Sequence, residues 1–451
     1  MNDTHVTPRA HDGADEGRGS LRCVVPFLID DVTSSMRSLS RTARLCLFVA
    51  WTGLLIAALL HLPDLCDDAF IVYRYATRLA HGGTFGLNDG QPVEGVTCLL
   101  WVVTLAAAVA AGLDAPLVAK LIGMLLVAGI PALALALSRR LAPFRVSVAG
   151  ACMLGASAPL AVWAVGGLET GAYSAVLALA LYSASNDLER PGRRLPVGAL
   201  AFAPLVLLRP EGILLALPYL VLLCSQVIRR RERLRFAGTA VAILGLTVGG
   251  VTLWRLATFG VPVPNTFYAK VAYATTWQPP PGSDYLAGFF AVQGGWALLA
   301  LAGLALVARR PGFTALLLAG TVMVQVSAIL IEGGDYMEGW RFAVPMVAPL
   351  AVLAGSGFER VRDVIQQARW RAPLRAASIF LVCAILVALA LPEHRRLLRA
   401  TSKNTDWLEG VHMHLGMWLR QAAPPGELGS PSATVAWCPT CRGWRRSTSS
   451  D

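Results

Sequence analysis

Long apolar blocks, repeated along the chain, constrain the fold more than any other feature. They recur from near residue 45 to near residue 391, and most run for about 15 to 23 residues, close to the ~20 that a helix needs to cross a bilayer. Charged residues make up only 15% of the chain, whereas soluble domains carry about 25%. The sequence therefore predicts an all-α polytopic membrane protein.

The apolar blocks give the positions of the crossings. We expect about eleven transmembrane helices, since each block is close to membrane thickness. They are placed at 45–62, 116–137, 146–163, 172–185, 195–208, 212–228, 236–258, 285–307, 313–331, 342–356 and 376–391.

The block at 98–112 decides the topology. The net charge of +11 comes from short basic clusters between apolar blocks, a pattern typical of cytoplasmic loops rather than of a nucleic-acid surface. If 98–112 crossed the membrane, the later clusters would change sides. If it is half-embedded or lies in the interface, all clusters fall on one side, so we predict this second arrangement and a cytoplasmic N-terminus.

The composition divides the chain into three parts. Residues 1–44 form a polar N-terminal tail, with Met36 as an alternative start, and residues 45–391 form the transmembrane domain. Residues 392–451 are expected to be a truncated extracytoplasmic tail. Its last part, after about residue 435, differs so much in composition from the rest that we expect a frameshift there.

Five loops without basic clusters open on the predicted outer face. Each places an ionisable residue at the end of an apolar helix, and such residues are costly at membrane depth unless they face a cavity or a partner. The loops are therefore candidate functional segments. They are 67–95, 166–171, 209–212, 259–270 and 332–341.

Asp67 and Asp68 are the most distinctive pair in these loops. They precede an amphipathic segment, so one interpretation is a solvated helix N-cap. The other is chemical, because adjacent carboxylates raise each other's pKa and suit a general base or cation binding. Arg74 on the same segment has two interpretations, a snorkelling contact with lipid headgroups or a contact with a lipid phosphate.

The other loops supply candidates with structural alternatives. Glu94 is a possible acceptor for a sugar hydroxyl, and Glu169 lies between two apolar helices. Arg209 and Glu211 flank a proline, and their simplest interpretation is a mutual ion pair. The remaining candidates share a place beside aromatic residues; they are Asn265, Tyr268, Lys270, Asp335 and Arg341.

Several chemistries are disfavoured by the motifs. The sequence contains no P-loop, no dinucleotide-binding fingerprint, no H-E-x-x-H and no nucleophile elbow. Cys438 and Cys441 form a single C-x-x-C, which lacks the second ligand pair of a zinc site. His61 and His81 flank the first loop and are more often structural than catalytic when isolated.

Five motifs in order resemble those of the GT-C membrane glycosyltransferases, and within them the bacterial cell-wall arabinofuranosyltransferase branch. They are "DDAFIVYRYATRLAHGGTFGLNDGQPVEGVT", "GGLET", "LLRPEG", "PNTFYAKV" and "GGDYMEGWRFAVP". The resemblance runs from about residue 45 to about residue 425. It implies a GT-C-like helical bundle with a structured first extracytoplasmic loop. Val96 and Cys98 depart from the family pattern.

The resemblance implies an integral-membrane glycosyltransferase. Its donor would be a polyprenyl-phosphate-linked sugar, such as arabinofuranose, and its acceptor an extracytoplasmic glycan, lipid or protein of the cell envelope. Transfer would proceed with inversion at the outer face of the bacterial inner membrane, among membrane lipids. No cofactor is firmly implied, and a divalent cation is an open alternative.

The implied roles follow the motifs. Asp67 and Asp68 would be catalytic, and Arg74, Lys270 and Arg341 would bind the donor phosphate. The sugar or acceptor would be bound by Glu94, Glu169, Arg209, Glu211, Asn265, Tyr268 and Asp335. Two alternatives stay open: a transporter or flippase of lipid-linked sugars, and an inactive truncated homologue. A transporter would be expected to show related halves with broken helices at the midplane, and no internal repeat is visible in this sequence.

Overall fold

The fold is entirely helical throughout the part of the chain that is described. The computed structural model describes residues 33, 37, 41–64, 66–88, 90, 92–141, 148–190, 195–272, 280–292, 303, 312–367, 372–415 and 417–418. Within these ranges there is no strand. The predicted tail after residue 418, with Cys438 and Cys441, lies outside them.

The helices follow the apolar blocks closely. They are α1 Arg41–Leu60, α2 Asp67–Ala80, α3 Leu99–Ala110, α4 Ala115–Leu141, α5 Val148–Gly155, α6 Ala158–Val165, α7 Thr170–Glu189, α8 Val197–Leu208, α9 Gly212–Arg229, α10 Leu234–Phe259, α11 Asn265–Ala272, α12 Gly282–Val292, α13 Phe313–Glu332, α14 Val347–Gln367 and α15 Ala372–Trp407. Short helical turns at Arg231–Arg233, Val344–Met346 and Leu408–Met413 extend α10, α14 and α15.

Four of these helices are long and apolar enough to cross a membrane. They are α4, α9, α10 with its preceding turn, and α13, and the bent pair α6 and α7 adds a fifth if it forms one span. The prediction of an all-α membrane protein is therefore confirmed. The predicted number of eleven crossings stays a prediction, because several of the blocks form shorter apolar helices or fall partly outside the described residues.

The predicted span 146–163 is the clearest difference from the sequence-based expectation. It is interrupted between α5 and α6, where Ser157 Oγ accepts a hydrogen bond from the Leu160 amide, 3.4 Å away, and caps α6. Pro159 in the first turn of α6 favours a helix start at this point. The periodicity of apolar residues continues through the break, so it gave no signal of it.

The bend of 114° between α6 and α7 depends on a glycine. Gly167 has φ +82°, a conformation that L side chains rarely adopt. A Cβ at this position would lie 2.1 Å from the Tyr73 hydroxyl of α2. The bend thus lets α2 approach the α6–α7 junction, which brings Glu169 close to the start of α2.

The chain between α1 and α4, which includes α3, begins and ends at the same end of the bundle. Lys120, in the second turn of α4, donates hydrogen bonds from Nζ to the carbonyls of Leu62 (2.5 Å) and Asp64 (2.7 Å), just after α1. The chain between these contacts therefore begins and ends at the same side. At 12 residues, α3 spans only about 18 Å. This geometry agrees with a half-embedded 98–112 block.

Helix α2 and the loop after it form one ordered unit, as expected for a structured first loop. The α2 helix buries one face, including Phe70 and Tyr73, against the bundle. The Tyr75 hydroxyl donates to the Val93 carbonyl at 2.6 Å and accepts from the Gly95 amide at 2.9 Å. Aromatic contacts between Phe85 and the end of α10 fix the loop on the bundle.

Helix α15 is longer than the predicted span 376–391. It continues to Trp407, so residues that were assigned to an extracytoplasmic tail form a helix over the same end of the bundle. Its His394 Nε2 lies 3.1 Å from the Ala156 carbonyl between α5 and α6. Trp340 Nε1 donates to Glu393 Oε1 at 3.2 Å. In a later turn of α15, the Thr401 hydroxyl lies 3.3 Å from His61 Nδ1 at the end of α1, so this part of α15 packs beside the segment that leads into α2.

Candidate active site

Asp67 and Asp68 form the first turn of α2. The residue that caps this helix is Cys66, which has an extended backbone (φ −109°, ψ 126°) and gives no side-chain cap. Asp67 Oδ1 accepts a hydrogen bond from the Asp68 amide at 2.9 Å. Carboxylates in a first turn are favoured by the helix dipole. Neither aspartate is the N-cap residue, so capping does not account for the pair.

A second acidic residue and an arginine from a distant loop join this pair. Arg341 Nη1 lies 3.6 Å from Asp68 Oδ2, and Arg341 Nε lies 2.7 Å from Asp335 Oδ2. Asp335 is buried, whereas the Asp68 side chain is 36% exposed. The loop after α13 thus brings one cation and one carboxylate to the start of α2.

Burial and neighbouring carboxylates affect the titration of this corner. The pKa of Asp68 is raised above its ordinary value, first by burial and then by Asp67, Asp335 and Glu169, while Arg341 opposes the shift. Burial, with Asp67 and Asp68 nearby, also raises the pKa of the Cys66 thiol to about 12. Cys66 is therefore a neutral thiol, and Asp68 is a stronger base than an exposed aspartate.

A buried ion pair stands next to this corner. Arg209 Nε donates to Glu169 Oε1 at 2.6 Å, and its Nη2 donates to the Thr170 hydroxyl at 3.2 Å. The expected pair of Arg209 with Glu211 is longer, at 3.5 Å, and partly exposed. Arg209 thus takes Glu169 as its main partner and ties the end of α8 to the start of α7.

Phe342 connects the two arginines. The Arg209 guanidinium carbon lies 5.7 Å from the centroid of the Phe342 ring, and that of Arg341 lies 5.2 Å from it. Cations near an aromatic face are attracted by its quadrupole. The two ion pairs therefore share an apolar partner and form one packed cluster.

The loop that carries Arg341 is held in an unusual conformation. Trp340 has φ 58°, which costs a non-glycine residue free energy unless the surroundings enforce it. Trp163 Nε1 donates to the Gly339 carbonyl at 2.8 Å, and the Tyr285 hydroxyl accepts from the Phe342 amide at 3.2 Å. These contacts fix the backbone on both sides of Arg341.

A cleft of about 700 Å³ opens beside the aspartates. Its walls come from the end of α1, the start of α2, α6, the loop after α13 and the last turns of α15. The lining residues include His61, Asp64, Cys66, Asp67, Trp163, Tyr336, Glu338, Lys403, Asn404 and Trp407. Its volume is in the range of about 300–1,000 Å³ that is typical of small-molecule sites. Asp67 is therefore presented to a space that could hold a ligand.

Two sequence candidates have structural partners elsewhere. Both oxygens of Glu94 accept hydrogen bonds from the Arg255 guanidinium of α10, with distances of 2.8–3.0 Å, and the pair is buried. Arg74 Nε donates to the Leu87 carbonyl at 2.9 Å. These contacts hold the first loop on α2 and α10. Binding of sugar by Glu94 and of phosphate by Arg74 stays a prediction.

The remaining candidates lie on α11. Asn265 begins this helix and is exposed, and Tyr268 is 39% exposed. Tyr268 contacts Phe267 edge to face, at 6.0 Å between ring centroids. The side chain of Lys270 lies outside the described residues. The structure therefore brings together Asp67, Asp68, Glu169, Arg209, Asp335 and Arg341. Among the side chains that the structure describes on α11, none forms an ion pair or a hydrogen bond with this cluster.

Sequence reasoning missed several polar residues that the structure places in contacts. Arg255 was read as part of an apolar span, although a lone arginine in such a block is itself a signal of a buried partner. Lys120 is likewise a lone basic residue within the predicted span 116–137, and it too indicates a buried partner. Glu393 and Arg396, which form an ion pair at 2.7 Å beside Trp340, followed the predicted end of the last span, so they had been assigned to the tail.

In the described ranges, no three His, Cys, Asp or Glu side chains are grouped in a way that suits a metal ion. The divalent cation stays an open alternative.

Comparison with known proteins gives no matching family model. The chain is 30% identical over 336 residues to the terminal β-(1→2)-arabinofuranosyltransferase of Mycobacterium tuberculosis. The match covers 64% of this chain and 52% of that protein, so the chain spans about half the length of the curated relative that it matches.

Two solved structures match this chain, and the first of them shares its fold. The first is the crystal structure of ArnT from Cupriavidus metallidurans bound to undecaprenyl phosphate. It matches with a TM-score of 0.54 at 13% identity, over 92% of this chain and 85% of ArnT. The Archaeoglobus fulgidus oligosaccharyltransferase, tethered with an acceptor peptide, gives a TM-score of 0.49 at 14% identity, over 84% and 58% of the two chains. The resemblance to GT-C membrane glycosyltransferases that the five motifs predicted is confirmed by two similarities: this chain shares its fold with ArnT, and it is similar in sequence to an arabinofuranosyltransferase.

Proposed function

We propose that this chain is a membrane glycosyltransferase that moves a sugar from a polyprenyl-phosphate donor to an acceptor of the cell envelope. The similarity to an arabinofuranosyltransferase favours a pentofuranose such as arabinofuranose as the sugar. The fold shared with ArnT, whose crystal holds undecaprenyl phosphate, favours a lipid phosphate as the leaving group. The single observation that carries the proposal is the placement of Asp67 on the wall of a cleft, next to the Asp68–Arg341 contact.

Asp67 is the proposed general base. Geometry comes before pKa in assigning a base, and Asp67 lines the cleft. Its carboxylate takes the proton of the acceptor hydroxyl while the hydroxyl oxygen attacks the anomeric carbon. The bond between that carbon and the phosphate oxygen breaks, and its electron pair leaves with the phosphate. A single displacement of this kind inverts the anomeric configuration.

Arg341 is the proposed contact for the leaving phosphate. A guanidinium has five N–H donors, so Arg341 can bind a phosphate oxygen while Asp335 and Asp68 hold it in position. Preorganised cations of this kind act on charge that develops in the transition state. Arg74 and Lys270 are further proposed phosphate contacts, because both follow from the motifs of the resemblance.

The Glu169–Arg209 pair has a different proposed role. Its burial and short distance fit a positioning pair that fixes Thr170 and Phe342. Glu94, Glu211, Asn265 and Tyr268 are kept as proposed sugar or acceptor contacts.

The proposed location of the reaction is the extracytoplasmic face of the bacterial inner membrane. The support for it is that the basic clusters and the acidic cluster lie at opposite ends of α7. Arg140 contacts Glu189 at one end, and Arg209 contacts Glu169 at the other.

Product analysis tests the proposal directly. The purified protein, in lipid nanodiscs, is incubated with synthetic polyprenyl-phosphate pentofuranose or hexose donors and with neutral oligosaccharide acceptors. We expect a mass gain of one pentose on an acceptor, with free polyprenyl phosphate formed in equal amount and an inverted anomeric signal by NMR. Movement of intact donor across a vesicle membrane with no new glycosidic bond would instead support the flippase alternative.

A further inference from the structure

The cleft contains a histidine that no part of the proposed chemistry uses. His61 stands at the end of α1, is 1% exposed and lines the cleft together with Asp64 and Asp67. Its Nδ1 lies 2.7 Å from Asp64 Oδ2 and 3.3 Å from the Thr401 hydroxyl of α15. Its Nε2 is buried and has no hydrogen-bond partner among the described residues.

The contact with Asp64 fixes the chemistry of this ring. A carboxylate only accepts hydrogen bonds, so Nδ1 carries the ring proton and donates a hydrogen bond to Asp64. In the neutral ring, Nε2 is then an acceptor with a fixed direction. A buried polar atom without a partner is costly, and beside a cleft that cost is removed by a ligand that donates a hydrogen bond. A hydroxyl group is such a donor.

The charge of the cleft argues against a phosphate as its ligand. Three carboxylates line it, Asp64, Asp67 and Glu338, against one lysine, Lys403. Because Glu338 is paired with Arg396 at 2.7 Å, Asp64 and Asp67 against Lys403 leave an excess of one negative charge. This excess of negative charge repels an anion, whereas it does not oppose a neutral polyhydroxyl compound. Carboxylates also accept hydrogen bonds from sugar hydroxyls, so the same groups favour a neutral sugar.

The aromatic residues of the cleft point to the same ligand class. Trp163, Tyr336 and Trp407 come from three separate segments, and all line the cleft. Aromatic side chains combine a large apolar surface with a polar tip, which suits a ligand with both C–H faces and hydroxyl groups. Tyr336 and Trp407 are 57% and 52% exposed, so part of each side chain is accessible from the cleft side of the protein surface.

We propose that this cleft is the acceptor subsite, that it takes a neutral sugar residue, and that a hydroxyl of this sugar donates its hydrogen bond to His61 Nε2. His61 is a positioning residue, because it holds the acceptor while Asp67 removes the proton. Asp64 and Thr401 set the orientation of the ring. The role of the bound sugar as an acceptor rests on the proposed function. The binding of a neutral sugar to the cleft can nevertheless be measured without any donor.

Binding by the full-length protein tests this inference. Tryptophan fluorescence reports on the cleft through Trp163 and Trp407, and a synthetic neutral arabinofuranose tetrasaccharide is the probe. We expect saturable binding by the wild type, and a Kd about 3- to 10-fold higher for His61→Gln, in line with the loss of one hydrogen bond. Asp64→Asn should weaken binding as well, because the ring loses its fixed orientation.

The matched control is His81→Gln. His81 is exposed at the end of α2, and its Nδ1 contacts the Thr77 carbonyl at 2.7 Å, so the same substitution there should leave the Kd unchanged. All variants are compared by thermal unfolding, and a folded Thr401→Val variant replaces any variant that fails to fold. Because Thr401 contacts the same ring nitrogen, this variant is also expected to raise the Kd.

Three results would overturn the inference. They are the absence of saccharide binding by the wild type, an unchanged Kd in folded His61→Gln or Thr401→Val, and displacement of the saccharide from the cleft by a short-chain polyprenyl phosphate. Saccharide binding without any transfer would contradict the proposed function alone. Transfer with an unchanged acceptor KM in His61→Gln would contradict the subsite alone.

Discussion

Arg341 lies 3.6 Å from Asp68, and this contact joins the loop after α13 to the first turn of α2. Asp335, from the same loop, contacts the other side of the guanidinium at 2.7 Å. Two segments far apart in sequence thus meet at one charged corner. The raised pKa of Asp68 in this cluster gives the first prediction.

Asp68→Asn is expected to stabilise the fold near neutral pH. Because burial raises the pKa of Asp68 in the folded state, the folded protein binds the proton more tightly than the unfolded chain. The contribution of Asp68 to the free energy of unfolding is therefore fully present below the pKa that Asp68 has in the unfolded chain, about 3.9. It is lost as the pH rises through the pKa of Asp68 in the folded protein. Asparagine carries no charge at any pH, so the variant avoids this loss.

Thermal unfolding of the two proteins between pH 4 and pH 7.5 checks this prediction. The Tm of Asp68→Asn should exceed that of the wild type at pH 7.5, and the difference should shrink toward pH 4. A lower Tm of the variant at pH 7.5 would mean that the contact with Arg341 outweighs the cost of burial.

The buried pair of Glu169 and Arg209 should be essential for stability. Removing one partner of a buried ion pair leaves an uncompensated charge and costs about 3–5 kcal/mol, so Glu169→Gln should lower the Tm strongly. Glu211→Gln is the matched control, since its contact with Arg209 is longer and partly exposed and should matter little. Equal Tm values for the two variants would contradict the assignment of Glu169 as the main partner.

The positions of the helices were largely available from the sequence. Helices α9 and α13, for example, agree with the predicted blocks 212–228 and 313–331 to within one residue at each end, because lipid-facing helices must be apolar over most of their length. The break before Ser157 was not predicted. The signal for it was local, a capping serine and a proline in the first turn, within an unbroken apolar run.

The charged cluster was predicted in composition but not in pairing. Position at the end of an apolar helix identified Asp68, Glu169, Arg209, Asp335 and Arg341. Which cation meets which carboxylate depends on the packing of α2, α7 and the α13 loop, and this cannot be read from spacing. The partner of Glu94 could not be predicted for the same reason, because Arg255 lies on a different helix far along the chain.

The contact between Glu94 and Arg255 gives a prediction that separates a structural role from a sugar-binding role. Glu94→Gln and Arg255→Gln should each lower the Tm and increase proteolysis of the loop that follows α2, because each leaves a buried charge unpaired. The double variant Glu94→Leu with Arg255→Met should recover much of the stability. Recovery of stability with a strongly raised acceptor KM would show that Glu94 also binds sugar.

The topology can be checked by cysteine labelling of intact cells. In a background whose native cysteines are replaced, Leu113→Cys and Tyr336→Cys, both at exposed positions, should react with an impermeant reagent from outside. Arg230→Cys, also exposed, should react only after permeabilisation. The reversed pattern, with Arg230→Cys labelled from outside and Leu113→Cys and Tyr336→Cys only after permeabilisation, would mean that α3 crosses the membrane.

The central claim is that Asp67 removes the proton of the acceptor hydroxyl. The most direct measurement is the turnover of Asp67→Asn with a polyprenyl-phosphate pentose donor and a neutral oligosaccharide acceptor, both saturating. The wild type is measured in parallel, and the variant must have the same Tm as the wild type. Loss of a general base typically costs about 10²- to 10⁴-fold in rate, so we expect kcat to fall by that factor while saccharide binding is retained. A kcat within about 3-fold of the wild type would be far smaller than the loss of a general base and would contradict the assignment.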